Sequence, residues 1–387
     1  MKLKDKLVIT NCDIISPFEE KANAEILIDK GKIIGIGTTG DFSKNGNIIN
    51  AEGRIVSPGF IDVHIQGAGG ADVLDGTYDG LSAISTTCAK FGVTGFLATT
   101  VFRPDGDNRH LSNVCECTRK NLGGAHLLGI HLEGPFITPE KKGMIKSDCI
   151  CEPSEKVLDE ILKITEGNLR IMTIAPELEN VTTIIKSLIK NGVVASFGHS
   201  NAAYEQTVKG IVSGISHVTH LFNAMPSMHH REPGPIPAIF EDGNITAQII
   251  FDGVHIHPAM LKFVTKILGE ERFVVITDGM QAMGLPDGKY VYNYLEYESK
   301  NGTARYLDGT LIGTSLGMSQ LVERCIKLSD NTLRTAIRAA SFNPAYVLGI
   351  ESKKGSIEVG KDADIVILNK DFSVWKTIIN GKIVYEE

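Results

Sequence analysis

The chain has 387 residues, of which 42% are hydrophobic and 22% are charged. This length and composition are typical of a globular protein with one large domain or two moderate ones. The formal net charge of −7 and the lack of a basic run argue against a nucleic-acid partner, and no apolar stretch approaches the ~20 residues of a membrane span. We therefore expect neither nucleic acid nor a membrane as a partner.

The start of the chain and the cysteines bear on localisation. The first residues lead directly into a strand-like run, without the apolar core of a signal peptide. The seven cysteines are scattered over a long chain, which is typical of reduced thiols rather than of a disulfide framework. We expect a cytoplasmic protein.

Both ends of the chain have the pattern of short strands joined by turns. Residues 3–56 include the turn sequence Asp29-Lys30-Gly31-Lys32, and residues 355–385 include Asn380-Gly381, a strong hairpin signal. We predict that 1–56 and 355–387 pair into one small β-sandwich domain.

The middle of the chain alternates strand-like and helix-like segments. Strands are predicted to end at His64, Thr100, Glu133, Glu177, His199, Asn223, Asp252 and Asp278. Helices are predicted at 78–91, 109–121, 154–166, 181–190, 203–213, 257–268, 315–329 and 332–348, and a loop with several prolines at 223–245. This alternation predicts an α/β fold, a (β/α)₈ TIM-type barrel over 57–354. A doubly wound open sheet is the alternative, and it explains less well why polar residues close nearly every strand.

Three of these strand ends carry residues that suit a metal ion. Glu133 offers a carboxylate, and His199 and His220 offer imidazole nitrogens, a ligand set that suits a catalytic zinc-type ion with one position open for water. A single histidine at a strand end is usually structural, but burying three such groups together is costly without a partner. Asp278 ends another strand and is the candidate general base and acid.

Longer phrases around these residues resemble a known family. The segment 58–64 (PGFIDVH) resembles the opening of amidohydrolase-superfamily barrels. The segments 131–136 (HLEGPF), 198–202 (GHSNA) and 219–225 (THLFNAM), followed by 231–234 (REPG), resemble the N-acetylglucosamine-6-phosphate deacetylase family. The resemblance spans 56–360 in the family's order.

This resemblance implies the fold predicted above and the removal of acetate from N-acetylglucosamine 6-phosphate, a small-molecule amino sugar phosphate, in amino-sugar catabolism. It implies one divalent metal ion per subunit, zinc or iron, held by Glu133, His199 and His220, with Asp278 as the catalytic carboxylate. It also implies a homodimer, in which the region around Arg231 reaches a neighbour's site. The residues that it implies for substrate binding are Asn223, Ala224, Arg231 and His255.

Two departures from the family pattern matter for the chemistry. Some relatives have His-x-His at the end of the first strand and hold a second metal there, whereas this chain has His64-Ile65-Gln66, which makes a poorer second site. Relatives also carry a histidine that contacts the acetyl carbonyl where this chain has Ile145. Either the metal alone polarises the carbonyl, or Lys142 or His131 substitutes, or the substrate differs.

Three other functions stay open from the sequence. The substrate can be N-acetylgalactosamine 6-phosphate or a related N-acylated sugar phosphate, because epimers differ in the direction of one hydroxyl. Hydrolysis of a cyclic amide is less favoured, because enzymes of that type commonly carry a carboxylated lysine on strand four and 170–177 contains none. A catalytically impaired amidohydrolase-like protein is the third, supported only by the absent histidine.

Overall fold

The computed structural model describes residues 6–42 and 46–387. The chain begins with four strands of one sheet: β1 (Leu7–Ile15), β2 (Glu20–Asp29), β3 (Lys32–Thr38) and β4 (Asn47–Pro58). Lys30 and Gly31 connect β2 to β3 with φ of 50° and 77°, the left-handed backbone that a two-residue hairpin turn requires. The predicted hairpin is therefore confirmed.

The barrel follows directly. Strand β5 (Phe60–Ile65) opens it, and a small ladder of β6 (Gly67–Ala68) and β7 (Ala71–Asp72) follows. The other barrel strands are β8 (Val93–Thr100), β9 (His126–Glu133), β10 (Leu169–Ile174), β11 (Val194–Phe197), β12 (His217–Val218), β13 (Thr246–Ile249) and β14 (Phe273–Val275). These eight strands pair in parallel in chain order, and a parallel bridge between Ile65 and Gly279 joins the two edges. The predicted barrel is confirmed, and the open sheet is excluded.

Helices surround the barrel and lie close to the predicted positions. They are α1 (Tyr78–Lys90), α2 (Arg109–Cys117), α3 (Glu155–Thr165), α4 (Val181–Lys190), α5 (Tyr204–Ser213), α6 (Ile236–Glu241), α7 (Pro258–Arg272), α8 (Met318–Ser329), α9 (Leu333–Ala340) and α10 (Phe342–Val347). In the part of the chain that the structure describes, none is long and apolar enough to cross a lipid bilayer.

Helix α6 lies inside the stretch that we predicted to be a loop. Its prolines caused the error: Pro235 caps the helix and Pro237 lies in its first turn, where a missing N–H removes no helical hydrogen bond. The buried Ile236 and Ile239 then dock this short helix on the core.

A four-stranded sheet beside the barrel was not predicted from the sequence. Strands β15 (Gly288–Tyr292), β16 (Leu295–Lys300), β17 (Thr303–Tyr306) and β18 (Leu311–Thr314) form an antiparallel meander between β14 and α8. Its apolar face buries Tyr292, Tyr297 and Ile312 against the segment that follows Asp278. This sheet therefore forms one wall above the carboxyl ends of the barrel strands.

The chain ends in β19 (Ile365–Leu368), β20 (Val374–Ile379) and β21 (Lys382–Glu386). They extend the N-terminal sheet, whose order is β21-β20-β19-β4-β1-β2-β3. Asn380 and Gly381 form the β20–β21 turn with φ of 48° and 73°, as the sequence predicted. The β-domain built from both termini is thus confirmed, while its limits at residues 56 and 355 stay predictions.

Candidate metal centre and active site

Most of the predicted site residues converge on one cavity of about 290 Å³ at the carboxyl ends of the barrel strands. Those that line it are Gln66, Glu133, His199, His220, Asn223, Ala224, His255 and Asp278. Because the strands are parallel, their ends all open on the same rim, so side chains distant in sequence meet there. His64 is fully buried beneath this cavity.

Glu133, His199 and His220 form a compact cluster of ligand-type atoms. Nε2 of His199 lies 3.1 Å from Oε1 of Glu133, and Nε2 of His220 lies 3.3 Å from the same oxygen. The two Nε2 atoms are 3.1 Å apart. Among the described residues this is the one group of three or more His, Cys, Asp or Glu side chains that meets the distance limit for a shared metal ion. One carboxylate and two imidazoles suit a catalytic divalent ion.

A hydrogen bond at His199 and burial at His220 leave both imidazoles able to act as ligands. Nδ1 of His199 lies 2.8 Å from the carbonyl oxygen of Lys141, so it carries the proton and leaves Nε2 as a free lone pair. Burial lowers the pKa of His220, which keeps that imidazole neutral. The residues present therefore fit a metal ion.

The backbone at the site is strained in three places. His199, His220 and Asp278 adopt positive φ values of 47°, 28° and 49°. His199 and His220 lie two residues, and Asp278 three residues, beyond the last residue of the strand that precedes each. L-residues rarely adopt this conformation, and it persists only where the surroundings enforce it. Our predicted strand ends were therefore too long, because the chain leaves the sheet before the functional residue and turns its side chain into the cavity.

Asp278 lies beside the cluster as a carboxylate. Its Oδ1 accepts a 3.1 Å hydrogen bond from Nε2 of Gln66 and lies 3.3 Å from Nε2 of His64. Burial by itself raises the pKa of Asp278, but the hydrogen bond and charge of His64 outweigh it, helped by the two nearby imidazoles His220 and His255. The pKa of Asp278 is consequently below its ordinary value, so its carboxylate is ready to accept a proton.

Gln66 connects the two carboxylates of the site. Its Nε2 donates to Oε2 of Glu133 at 3.2 Å as well as to Asp278, while its Oε1 is buried without a hydrogen-bond partner. A single amide thus links the Glu133 cluster and Asp278 in one arrangement.

The first strand offers little for a second metal. Nδ1 of His64 donates to Oε1 of Gln248 at 3.0 Å. Burial lowers the pKa of His64, but the carboxylates of Glu133 and Asp278 more than offset it and raise the pKa well above the ordinary value. Nε2 of His64 lies 3.3 Å from Oδ1 of Asp278 and 3.6 Å from Oε1 of Glu133, so this geometry favours His64 as the partner of Asp278.

The substrate-binding candidates surround the opening. Nδ1 of His255 lies 2.6 Å from Oδ2 of Asp252, and its Nε2 lies 3.8 Å from Oδ2 of Asp278. The amide of Asn223 is held by the carbonyl oxygens of His220 and Leu221, both at 3.3 Å.

Comparison with known proteins decides the family, because residues 55–384 match the amidohydrolase family. The chain belongs to the amidohydrolase family. It is 35% identical over 389 residues to N-acetylglucosamine-6-phosphate deacetylase of Bacillus subtilis (strain 168), covering 99% of this chain and 98% of that relative. It is 33% identical to N-acetylgalactosamine-6-phosphate deacetylase of Escherichia coli O157:H7, covering 87% of this chain and 89% of that one.

A solved structure agrees with this assignment. A mutant of N-acetyl-D-glucosamine-6-phosphate deacetylase from Mycobacterium smegmatis, in complex with N-acetyl-D-glucosamine-6-phosphate, superimposes on this chain with a TM-score of 0.92. The two sequences are 30% identical, and the match covers 98% of this chain and 99% of the other. The terminal β-domain and the barrel of this amidohydrolase are thus both matched.

One predicted residue of this amidohydrolase lies outside the metal cavity. Arg231 is exposed and lines a separate cavity of about 500 Å³ together with Tyr204, Pro226 and His229. Within one subunit, the structure therefore does not bring Arg231 to the Glu133 cluster.

Ile145 occupies the position at which relatives carry the carbonyl-contacting histidine. Ile145 is 2% exposed and packs in an apolar cluster with Val101 and Ile137, whereas its neighbour Met144 lines the metal cavity. The apolar side chain at 145 is accordingly used for packing.

Neither His131 nor Lys142, the two residues that we considered as replacements for the histidine, faces the cavity. Both ring nitrogens of His131 are occupied, by the carbonyl oxygen of Val63 at 3.0 Å and by Oγ1 of Thr173 at 2.9 Å. Nζ of Lys142 lies 3.3 Å from the carbonyl oxygen of Ile145. The cation that does line the cavity is Lys141, which sequence reasoning missed, although it belongs to the same Lys-Lys pair.

Proposed function

We propose that this protein hydrolyses the acetamido group of N-acetylglucosamine 6-phosphate, giving glucosamine 6-phosphate and acetate in amino-sugar catabolism. The observation that carries this proposal is the shared contact of Glu133 Oε1 with two imidazole nitrogens, beside the carboxylate of Asp278. The names of the relatives and their match over nearly the whole chain support it.

One divalent ion per subunit, zinc or iron, completes the site, held by Glu133, His199 and His220. When bound, it supplies Lewis-acid polarisation of the amide carbonyl and lowers the pKa of water. Residues 6–42 and 46–387 contain one cluster of suitable spacing, and His64 is engaged with two carboxylates; both observations support one ion rather than two.

Asp278 carries the proton through the reaction. Its carboxylate takes a proton from the attacking water as the water oxygen bonds to the carbonyl carbon. It then returns that proton to the nitrogen as the carbon–nitrogen bond breaks, so acetate and a primary amine leave. His64 and Gln66 orient the carboxylate for both transfers, because both lie within 3.3 Å of its Oδ1.

The sugar phosphate is held by groups at the rim. His255, oriented by Asp252, contacts a sugar hydroxyl, and Asn223 and Ala224 hold the sugar and phosphate. Lys141 lines the same cavity and attracts the anionic end of the substrate. We further propose a homodimer in which Arg231 of one subunit binds the phosphate in the other subunit's cavity, since a guanidinium binds phosphate oxygens in pairs.

The galactosamine epimer is the second candidate substrate. A relative 33% identical to this chain is named for N-acetylgalactosamine 6-phosphate, which supports this second candidate. We also infer a cytoplasmic protein; all seven cysteines have free thiols, which supports that inference.

The decisive experiment measures acetate release from N-acetylglucosamine 6-phosphate, from its galactosamine epimer and from unphosphorylated N-acetylglucosamine. We expect turnover that a chelator abolishes and zinc or iron restores, with the phosphorylated glucosamine compound preferred. A protein that retains its metal and releases no acetate from any of them would support the catalytically impaired alternative. A higher specificity constant for the galactosamine compound would assign the epimer instead.

A further inference from the structure

A continuous chain of side-chain hydrogen bonds runs through the interior of the barrel, beneath the metal cavity. It leads from Thr246 on β13 to His217 on β12, then to Gln248 on β13 and finally to His64 on β5. Thr246 is 6% exposed, and the other three residues are fully buried. Barrel interiors are usually filled by branched apolar side chains. The proposed hydrolysis uses His64 alone, so the three polar residues behind it need an explanation.

The backbone N–H of His220 fixes the orientation of the Gln248 amide. It donates to Oε1 of Gln248 at 3.3 Å, and a backbone N–H can only donate. The amide oxygen therefore faces His220. Nδ1 of His64 lies 3.0 Å from the same oxygen, and it must carry a proton, because two acceptors in contact repel each other.

The other end of the chain has the same polarity. The carbonyl oxygen of Ser216 accepts from Oγ1 of Thr246 at 3.3 Å, so Thr246 in turn accepts from Nδ1 of His217 at 2.7 Å. Nε2 of His217 is then the acceptor for Nε2 of Gln248 at 3.1 Å. Burial lowers the pKa of His217 to about 3, which keeps this ring neutral. Each donor of the chain thus has an acceptor.

His131 restricts the ring plane of His64. The two imidazoles pack edge to face, with centroids 4.7 Å apart and planes at 77°, and His131 is itself fixed by two hydrogen bonds. The main alternative orientation of His64 is a half-turn of its ring, which would direct C–H groups toward both Gln248 and Asp278. The hydrogen bond from Nδ1 to Gln248 opposes this half-turn and keeps Nε2 at 3.3 Å from Oδ1 of Asp278.

We propose that Gln248 is a positioning residue, which acts through His64 to hold Asp278 in its reactive orientation. His217 and Thr246 set the direction of the amide that does so. Gln248 is fully buried and does not line the metal cavity, so its effect on the reaction passes through the residues that it holds. The inference rests on the proposed function, because this orientation matters for the rate only if Asp278 transfers the proton.

The tautomers of the buried histidines test the chain without turnover. In the zinc-loaded protein, with histidine isotope-labelled at its ring nitrogens, nuclear magnetic resonance distinguishes a protonated Nδ1 from a protonated Nε2. We expect Nδ1 to carry a proton in both His64 and His217, and the Nδ1–H of His64 to be protected from exchange with water. His64→Asn and His217→Asn assign the two resonances by their loss. An unprotonated Nδ1 in either ring of the parent protein would overturn the proposal.

Gln248→Met removes the donor and the acceptor of the amide at nearly constant length. The Nδ1–H resonance of His64 should then shift or lose its protection. We expect kcat to fall about ten- to hundredfold, the usual cost of losing an outer partner of a metal site, while KM changes little because no substrate-binding group is altered. Rates are compared at equal metal content, since Gln248 also holds the backbone of His220.

Two further variants are the controls. Gln248→Glu keeps an acceptor oxygen for His64, so it should retain the Nδ1–H resonance and turn over faster than Gln248→Met. Thr94→Val also loses a buried hydrogen bond, from Oγ1 of Thr94 to the carbonyl oxygen of Phe60 at 3.3 Å, but near the amino end of β8. It should show the kcat and the histidine resonances of the parent protein.

The proposal fails if Gln248→Met has the kcat of the parent protein at equal metal content, or if its His64 resonance is unchanged. If Gln248→Met does not fold, as judged by thermal unfolding, Gln248→Asn replaces it, because that amide is one methylene too short to reach His64. A parent protein that releases no acetate would refute the proposed hydrolysis instead, and the resonances would still decide whether Gln248 orients His64.

Discussion

The Nε2 atom of His199 lies 3.1 Å from the Nε2 atom of His220, and both face the same carboxylate oxygen. Because Nδ1 of His199 faces the carbonyl oxygen of Lys141 and carries the ring proton, its Nε2 turns a lone pair toward Oε1 of Glu133 at 3.1 Å, and two acceptors in contact repel each other. A divalent cation between them resolves the conflict by accepting both lone pairs. The first prediction tests this relationship.

Glu133→Gln should lower metal content well below one ion per subunit, because the amide removes the negative charge that balances the cation. Metal bound at ~100 times its dissociation constant stabilises a fold by about 2.7 kcal/mol, so the variant should also lose the metal-dependent rise in melting temperature. Elemental analysis and thermal unfolding with and without chelator measure both. The control Glu140→Gln changes a carboxylate that lines the same cavity outside the cluster, and it should keep its metal.

Asp278→Asn should reduce kcat by about 10²–10⁴, the usual contribution of a positioned acid–base group, while KM changes little. The amide preserves shape and hydrogen bonding to Gln66 but cannot accept a proton from water. Steady-state kinetics together with metal analysis make the test, and Asp79→Asn on the exposed side of α1 is the control. Near-normal turnover with full metal content would exclude the assigned role.

Gln66→Glu should shift the pH profile. A carboxylate at this position would place a like charge beside Asp278, raising its pKa. Because the reaction needs Asp278 ionised, activity should then be lost at a higher pH as the solution is acidified. The acid limb of kcat/KM against pH measures this shift.

Gln320→Glu provides the matched control for that profile. Gln320 is exposed, and its Oε1 accepts the backbone N–H of Gly317, a contact that glutamate can keep. Its acid limb should coincide with that of the parent protein. If the acid limb of Gln66→Glu also coincides with that of the parent protein, the coupling between positions 66 and 278 is contradicted.

Arg231→Ala should raise KM for the phosphorylated sugar about ten- to hundredfold, since a charge-assisted contact to phosphate is lost, and leave the unphosphorylated sugar unaffected. Exposed Arg109→Gln should change neither. Mixing inactive Glu133→Gln with Arg231→Ala should recover affinity in some sites, because a mixed dimer pairs an intact metal site with the partner subunit's arginine. If the mixture shows only the summed activity of the two variants, with no site of restored affinity, the arginine does not act in the partner's site.

Much of this architecture could be predicted from local patterns. The barrel strands and most helices follow from hydrophobic periodicity, and the Asn380-Gly381 hairpin follows from the positive φ values that this pair tolerates. Helix α6 and the β15–β18 sheet were missed because their signals are short, and their burial depends on partners distant in sequence. Pro235, which precedes the first residue of α6, also favoured a loop in the sequence-based prediction.

The sequence by itself identified the candidate groups for the chemistry: two imidazole side chains at successive strand ends and one acidic side chain at a third, with a further carboxylate on the last strand. Only the tertiary structure decided where those groups point, that Ile145 faces the core while Lys141 lines the cavity, and that Arg231 lies away from its own subunit's metal cluster. The physical reason is range. Backbone propensity and periodicity act over a few residues, whereas the direction of a loop side chain is set by packing against segments hundreds of residues away, such as the bond between Asp278 and Gln66.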